Sequence, residues 1–324
     1  MPKAIVVDQA GSPSVLKWKD IEIVRPGKGE VTVRVKAIGV NFIDIYHRSG
    51  LYPVSMPFTP GGEMCGEIEA VGAGVHGFKI GDRVATGTAG SGCYSEVLNI
   101  DTGKLIKVPR EIPNDIAAAM MLQGMTVQFL IRQVYKVKKG NTILIHAAAG
   151  GVGLILCQWA KHLGATVIGT VGSPGKARLA KAHGCDFPII YSRENFVDRV
   201  RKITKGAMLP VVYDSIGKAT WPASLDCLQQ QGLFVTFGNA SGPIPPIEPA
   251  ILGQKGSLVM TRPTLFHFAD TPENMRKMAT EVMKTIKAGA VKIEVNHKYS
   301  LREAARAHRD LAARKTTGSI VLEP

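Results

Sequence analysis

A glycine-rich turn follows a predicted strand in the middle of the chain. Residues 142–146 form a short apolar run, and the pattern Ala148-x-Gly150-x-x-Gly153 then opens an apolar helix. Small residues let the backbone approach a phosphate closely, and the N-terminus of a helix stabilises its negative charge. This order of strand, turn and helix is the fingerprint of dinucleotide binding, with Ala in place of the first Gly.

The end of the next predicted strand indicates which dinucleotide is bound. NAD-binding proteins place an Asp or Glu about 20 residues after the turn, where it holds the ribose 2′-hydroxyl. Here the strand ends at Val171, and no carboxylate follows before Asp186. Ser173 and Lys176 can donate hydrogen bonds to a 2′-phosphate, which a carboxylate would repel, and Tyr191 can add a hydroxyl. The sequence therefore predicts NADPH as the cofactor.

Two kinds of sequence pattern indicate the strands and helices that position these residues. The first third of the chain is β-rich, because short apolar alternations lie between Gly and Pro turns. From about residue 112, strands and helices alternate, including a predicted helix over 220–228. Such alternation implies a parallel sheet with helices on both faces. Near the end of the chain we predict a strand over 291–295 between two amphipathic helices.

The predicted fold class is therefore α/β. A Rossmann doubly wound parallel-sheet domain over 123–265 is inserted into a β-rich catalytic domain formed by 1–122 and 266–324.

The composition is that of a globular protein with an excess of positive charge. Forty Lys and Arg against 26 Asp and Glu give +14, while 45% of the residues are hydrophobic. These values exclude disorder, collagen and coiled coil. The five cysteines are scattered and form no Cys-x-x-Cys pair, so no structural zinc site or disulfide framework is predicted. We see no signal peptide or membrane segment and expect a cytoplasmic protein.

The glycine turn also carries a family resemblance. The pattern Leu144-x-x-x-Ala148-Ala149-Gly150-Gly151-x-Gly153-x-x-x-x-Gln158-x-x-Lys161 resembles the signature of the zinc-independent, zeta-crystallin-like quinone oxidoreductases. These form a branch of the medium-chain dehydrogenase/reductase superfamily. Further matching segments lie at 39–52, 60–66, 214–217, 237–242, 261–263 and 314–319. The resemblance implies a GroES-like catalytic domain, a homodimer, and metal-free reduction of quinones by NADPH through hydride or electron transfer.

The same comparison predicts no metal site. Zinc-dependent alcohol dehydrogenases of the superfamily have a Cys and a His where this chain has Asn41 and Gly62. Neither residue replaces a zinc ligand. The resemblance instead places Asn41, Tyr46 and Tyr52 beside the nicotinamide and the acceptor, where Asn41 or Tyr46 would hydrogen-bond the carbonyl that gains charge. The cofactor-binding residues that it implies are Thr126, Gly150, Gly151, Val152, Gly172, Ser173, Lys176, Tyr191, Phe237, Asn239, Ser241, Arg262 and Arg314.

Three other functions stay open at this point. An NADPH-dependent enone or enal reductase needs the same fold and would reduce an alkenal but no quinone. The charge of +14 also allows a secondary RNA-binding activity, with an affinity that depends on salt. A structural, crystallin-like role would retain cofactor binding without turnover.

Overall fold

The computed structural model describes all 324 residues, Met1–Pro324, which form two compact units. Unit 1 comprises residues 1–125, 268–283 and 293–324, and unit 2 comprises residues 126–267 and 284–292. The division differs from the predicted one: residues 123–125 belong to unit 1, and residues 266–267 and 284–292 belong to unit 2. None of the helices combines the length and the apolar character that a membrane crossing requires.

The regular elements follow one another along the chain in three parts. The first part contains β1 (Lys3–Val6), β2 (Lys17–Asp20), β3 (Glu30–Val40), α1 (Phe42–Ser49), β4 (Met64–Val71), β5 (Arg83–Thr86), β6 (Val97–Asp101), β7 (Ile106–Lys107) and α2 (Asn114–Phe129). The middle part contains β8 (Thr142–Ile145), α3 (Gly151–His162), β9 (Thr166–Val171), α4 (Pro174–Ala182), β10 (Phe187–Ile190), α5 (Phe196–Ile203), β11 (Leu209–Asp214), β12 (Leu228–Thr236), α6 (Ala250–Gln254) and β13 (Val259–Thr261). The last part contains α7 (Leu265–Phe268), α8 (Pro272–Lys287), β14 (Val295–Ser300), α9 (Ala304–Ala312) and β15 (Ser319–Glu323).

Unit 1 is built on a seven-stranded sheet in the order β14-β15-β3-β4-β5-β7, with β6 also paired to β3. The 11-residue β3 pairs antiparallel with β15, β4 and β6, so residues near both ends of the unit's sequence meet on one strand. The core contains buried side chains from several of these strands, including Val33, Ile38, Ile68 and Leu322.

The helix α1 lies in the connection between β3 and β4, where the sequence pattern predicts no helix. Phe42, Ile43 and Ile45 favour a strand by composition. The carboxylate of Asp44 accepts the backbone N–H of Asn41 at 2.8 Å, which begins the helix. Gly50, with a φ of 82°, ends it in the left-handed conformation that glycine adopts readily.

Unit 2 is a parallel six-stranded sheet in the order β10-β9-β8-β11-β12-β13, which confirms the predicted doubly wound class. The chain runs outward in one direction from β8 and in the other from β11, so the strand order reverses between these two strands. In sheets of this kind, ligands bind beyond the carboxyl ends of the strands at that reversal.

Two predicted elements are wrong. Within 220–228 only Ala223–Cys227 is helical, as a 3-10 turn, because Pro222 precedes it and Ser224 bonds to Asp214. The strand predicted over 291–295 is instead β14, which begins at Val295, where β15 offers a parallel partner.

Candidate functional site

The glycine-rich turn connects β8 to α3 in unit 2. Ala147 turns the chain with a φ of 57°, and Gly150 then stands before the first residue of α3 without a side chain to cap it. A Cβ on Gly153 would overlap the carbonyl oxygen of Ala147 and lie 2.8 Å from the carbonyl carbon of Ala148. Only glycine therefore fits, and the N–H groups at the start of α3 suit a pyrophosphate.

The turn is fixed to the sheet below it. The backbone N–H of Ala148 donates to the carbonyl of Thr170 at 3.0 Å, and that of His146 donates to the carbonyl of Tyr213 at 3.0 Å. A Cβ on Gly169 would lie 2.6 Å from the Cβ of Ala148, so β9 can support the turn only with glycine there. The predicted pyrophosphate residues Gly150, Gly151 and Val152 thus follow one another at the start of α3.

Three of the residues predicted for the adenosine phosphate meet beyond the end of β9. A Cβ on Gly172 would lie 2.8 Å from the phenol oxygen of Tyr191, so this hydroxyl rests against the backbone of Gly172. The side chain of Ser173 caps α4 by accepting the backbone N–H of Lys176 at 3.3 Å. This bond leaves the Ser173 hydroxyl hydrogen free to donate.

The first carboxylate after this strand, Asp186, lies at the opposite end of β9. It accepts the backbone N–H of Val167 at 2.9 Å and an ammonium hydrogen of Lys161 at 2.6 Å. Asp186 therefore cannot serve as the acidic residue that binds a ribose 2′-hydroxyl. The residues at the carboxyl end of β9 fit a 2′-phosphate better than a free hydroxyl.

The predicted nicotinamide residues Phe237, Asn239 and Ser241 lie in the loop after β12, which is hydrogen-bonded to the loop after β11. The hydroxyl of Ser241 accepts the backbone N–H of Ala219 at 2.9 Å and donates to the carbonyl of Ile216 at 2.8 Å. The guanidinium of Arg262 donates to the hydroxyl of Thr236 and to the carbonyl of Gly238. The structure thus gives Ser241 and Arg262 a role in shaping this loop.

Of the other members of the predicted set, Phe237 and Asn239 lie in the same loop as Ser241, whereas Thr126 and Arg314 lie elsewhere. The backbone N–H of Phe237 donates to the carbonyl of Asp214, and the carbonyl of Asn239 accepts the N–H of Gly242. Thr126 is buried in the last turn of α2 within unit 2. Arg314 is exposed just after α9 in unit 1, where its φ is 58°.

A buried polar network lies beneath the strand reversal of unit 2. His146 follows β8, and its two ring nitrogens lie 2.8 Å from the Thr170 hydroxyl and 3.0 Å from the Ser224 hydroxyl. Asp214 accepts four hydrogen bonds, including those from Ser224 and Thr220. Burial lowers the pKa of His146, so this histidine is a neutral structural group.

The predicted acceptor residues Asn41, Tyr46 and Tyr52 lie before, on and after α1. The rings of Tyr46 and Tyr52 pack edge to face with centroids 5.1 Å apart, and Phe42 lies 6.1 Å from Tyr46. Asn41 precedes the helix, and its side-chain nitrogen donates to a carboxylate oxygen of Glu63 at 2.8 Å. The Asn41 amide oxygen accepts an N–H of Gln123 at 3.1 Å.

Residues that the sequence did not single out complete this region. Glu63 is fully buried, and its other oxygen accepts the backbone N–H of Leu122 at 2.8 Å. Burial raises its pKa to about 8 despite the stabilising hydrogen bond from Asn41. Gln123 in turn accepts the hydroxyl of Ser319 at 2.9 Å. The sequence signal for Glu63 is a lone carboxylate directly after two glycines, ahead of the apolar start of β4.

A second buried cluster stands beside this one. Asp44 accepts the hydroxyl of Tyr94 at 3.0 Å, and the Tyr94 oxygen lies 3.0 Å from a ring nitrogen of His308. Burial raises the pKa of Asp44 to about 7 and lowers that of His308 to about 3. The buried Arg48 lies close enough to lower the pKa of His308 further.

At the two positions where zinc enzymes of the superfamily have metal ligands, this chain has no side chain available to bind a metal. The amide of Asn41 is bonded to Glu63 and Gln123, and Gly62 has no side chain. No group of three or more His, Cys, Asp or Glu side chains is arranged to hold a metal ion.

Comparison with known proteins identifies the family. A family model described as "Alcohol dehydrogenase GroES-like domain" matches residues 27–110, and one described as "Zinc-binding dehydrogenase" matches residues 151–282. These two matches define the medium-chain dehydrogenase/reductase superfamily.

Three full-length relatives narrow this assignment. The chain is 54% identical to a quinone oxidoreductase of Pseudomonas aeruginosa, with all of both chains covered. It is 44% identical to a 2-haloacrylate reductase of Burkholderia, covering 100% of this chain and 99% of that protein. The crystal structure of Escherichia coli quinone oxidoreductase complexed with NADPH is 45% identical and superimposes with a TM-score of 0.98, covering 99% and 100%. The chain therefore belongs to the quinone oxidoreductase family.

Proposed function

We propose that this protein reduces quinones with NADPH as the electron donor. The observation that carries the proposal is the end of β9, where Ser173 and Tyr191 stand without a carboxylate. The identity of 54% to a quinone oxidoreductase supports quinones as the acceptor class. NADPH, when bound, supplies the hydride or electrons.

The proposed cofactor residues divide into three groups. Gly150, Gly151 and Val152 bind the pyrophosphate through their backbone. Thr126 is proposed to lie near the pyrophosphate and ribose with them. Gly172, Ser173, Lys176 and Tyr191 face the 2′-phosphate, to which the hydroxyls of Ser173 and Tyr191 and the ammonium group of Lys176 donate. The groups proposed near the nicotinamide are Phe237, Asn239 and Ser241, with Arg262 and Arg314 at its edges.

On the acceptor side, Asn41 is the proposed hydrogen-bond donor to the quinone carbonyl. One of its two amide hydrogens is bonded to Glu63, so one remains for the acceptor oxygen. That hydrogen bond stabilises the negative charge that develops during reduction. Tyr46 and Tyr52 flank the acceptor with their rings, and solvent supplies the proton.

The test is oxidation of NADPH and NADH by the purified protein with 1,4-benzoquinone, an alkenal and 2-chloroacrylate as acceptors. We expect NADPH-selective turnover of the quinone. Equal rates with NADH would overturn the roles of Ser173 and Lys176, and an absence of quinone turnover would overturn the proposed function.

Reduction of an activated alkene is the second candidate. The 44% identity to a 2-haloacrylate reductase favours it, since conjugate reduction uses the same hydride donor. Turnover of the alkenal or 2-chloroacrylate without turnover of benzoquinone would select this second function.

The proposed assembly is a homodimer formed through the edge strand β13. Val259 on this strand is 53% exposed, and a second copy would pair with its free hydrogen-bonding groups. Sedimentation velocity tests this: a Val259→Asp variant should be a monomer, and a wild-type monomer would overturn the proposal. RNA binding and a cytoplasmic location stay predictions from the sequence.

A further inference from the structure

Four buried polar side chains form one hydrogen-bonded chain in unit 1. The Ser319 hydroxyl donates to Gln123 at 2.9 Å, and the Gln123 amide donates to Asn41 at 3.1 Å. Asn41 then donates to Glu63 at 2.8 Å. All four side chains are more than nine-tenths buried, and they come from β15, α2, the start of α1 and the residue before β4.

The protein backbone makes room for the carboxylate at the end of this chain. A Cβ on Gly39 would overlap the Glu63 oxygen that accepts from Asn41. The other oxygen is held by the backbone N–H of Leu122 at 2.8 Å, and the N–H of Met121 also bonds to the carboxylate. Glu63 is therefore fixed at both oxygens, and no cation pairs with it.

The donor-to-acceptor direction of this hydrogen-bonded chain follows from the groups at its two ends, Ser319 and Glu63. An ionised carboxylate can only accept hydrogen bonds, so it draws the nitrogen of the Asn41 amide toward itself. The oxygen of that amide then faces Gln123, whose own oxygen faces Ser319. A serine hydroxyl can either donate or accept, so only Glu63 imposes a direction.

We propose that Glu63 is a positioning residue for quinone reduction, because it fixes the Asn41 amide with an N–H free to bond the acceptor oxygen. This inference rests on the proposed function of Asn41 as the donor to that oxygen. Gln123 and Ser319 complete the hydrogen-bonded chain, and each can donate or accept according to the orientation of Asn41.

Once Glu63 is protonated, it no longer fixes the donor-to-acceptor direction of these hydrogen bonds. A protonated carboxyl can donate, so the chain can also run from Glu63 to Ser319 with both amides turned over. The charged and titratable groups that act on Glu63 support a change near neutral pH. Burial and the nearby Asp44 raise its pKa to about 8, against the hydrogen bonds from Asn41, Leu122 and Met121, while the Cys93 thiol also lies near. The donor at Asn41 should therefore be most available above about pH 8.

The kinetic test compares Glu63→Gln with the wild type. This substitution keeps the side-chain volume, but the new amide oxygen stays with the Leu122 N–H and the new amide nitrogen faces Asn41, so the Asn41 amide is turned over. At pH 9, where Glu63 is ionised, we therefore expect kcat for benzoquinone to fall about tenfold with NADPH affinity unchanged. The wild-type kcat should rise through a midpoint near pH 8, and this rise should be absent in Glu63→Gln. Glu67→Gln on the exposed face of β4 is the matched control and should follow the wild type in both measurements.

A second readout does not depend on turnover. In protein labelled with ¹⁵N-asparagine, the side-chain amide signal of Asn41, assigned by its loss in Asn41→Asp, should titrate with a midpoint near pH 8. The titration should vanish in Glu63→Gln and persist in Glu67→Gln. If the wild type reduces no quinone but this signal titrates as expected, the proposed function fails while the coupling of Glu63 to Asn41 stands. A folded Glu63→Gln variant with wild-type kcat and pH profile would overturn the positioning role.

Discussion

The two regions proposed to bind the cofactor and the acceptor are built in opposite ways. In unit 2, a few neighbouring residues with small side chains present backbone N–H groups from one turn between β8 and α3. In unit 1, the amide of Asn41 is held by side chains 22 and 82 residues away, and Ser319 lies a further 196 residues from Gln123. A substitution at the turn should therefore act on cofactor binding, whereas a substitution in the buried chain should act on the chemical step.

The largest effect should come from closing the glycine turn. A Gly153→Ala methyl would overlap the carbonyl oxygen of Ala147, so the turn must open. We expect the Kd for NADPH to rise about a hundredfold, measured by titration of NADPH fluorescence. Gly253→Ala on α6 is the control, because its added Cβ meets nothing within 4 Å. An NADPH affinity within twofold of wild type in a folded Gly153→Ala variant would contradict the role of this turn in cofactor binding.

Because Glu63 is buried at the end of the hydrogen-bonded chain, the stability of the protein should depend on pH. Glu63 has a pKa of about 8 in the folded protein, against an ordinary value of 4.5, so the folded state keeps its proton longer than the unfolded state. The free energy of unfolding should therefore fall as pH rises toward 8, by about 1.4 kcal/mol per pH unit from this one group.

The useful window lies between about pH 6.5 and 8, since the neutral buried histidines oppose this trend only below an ordinary histidine pKa of about 6.5. Asp44 acts in the same direction as Glu63, but only up to its pKa of about 7. Urea unfolding should show a loss of about 2 kcal/mol across the window from Glu63, absent in Glu63→Gln. Parallel curves for wild type and Glu63→Gln would contradict the buried, proton-holding state of this carboxylate.

A smaller effect should separate the two nicotinamide cofactors. Lys176→Gln removes an ammonium group proposed to bind the 2′-phosphate, so KM for NADPH should rise about tenfold while KM for NADH stays unchanged. Lys181→Gln, on the exposed part of the same helix α4, should leave both values at the wild-type level. Equal changes for the two cofactors would remove Lys176 from the phosphate site.

The same contrast explains how much the sequence could predict. The turn at Gly150, the alternation of strands and helices in unit 2 and the missing carboxylate after β9 are local, so neighbouring residues specify them. The cap of α1 is a contact of Asp44 with the Asn41 backbone, in a segment whose side chains favour a strand. Glu63 and Gln123 acquire a role only after β3, β4 and α2 come together, and no spacing along the chain encodes that meeting.

The most direct test of the account is a double-variant cycle in steady-state reduction of benzoquinone by NADPH at pH 9, where Glu63 is ionised. The wild type, Lys176→Gln, Glu63→Gln and the double variant are compared in kcat and in KM for NADPH. We predict that Lys176→Gln changes only KM, that Glu63→Gln changes only kcat, and that the double variant shows both changes in full, because the two sites act independently. A change in KM from Glu63→Gln as large as that from Lys176→Gln, or strong non-additivity in the double variant, would contradict the division of work between the two regions.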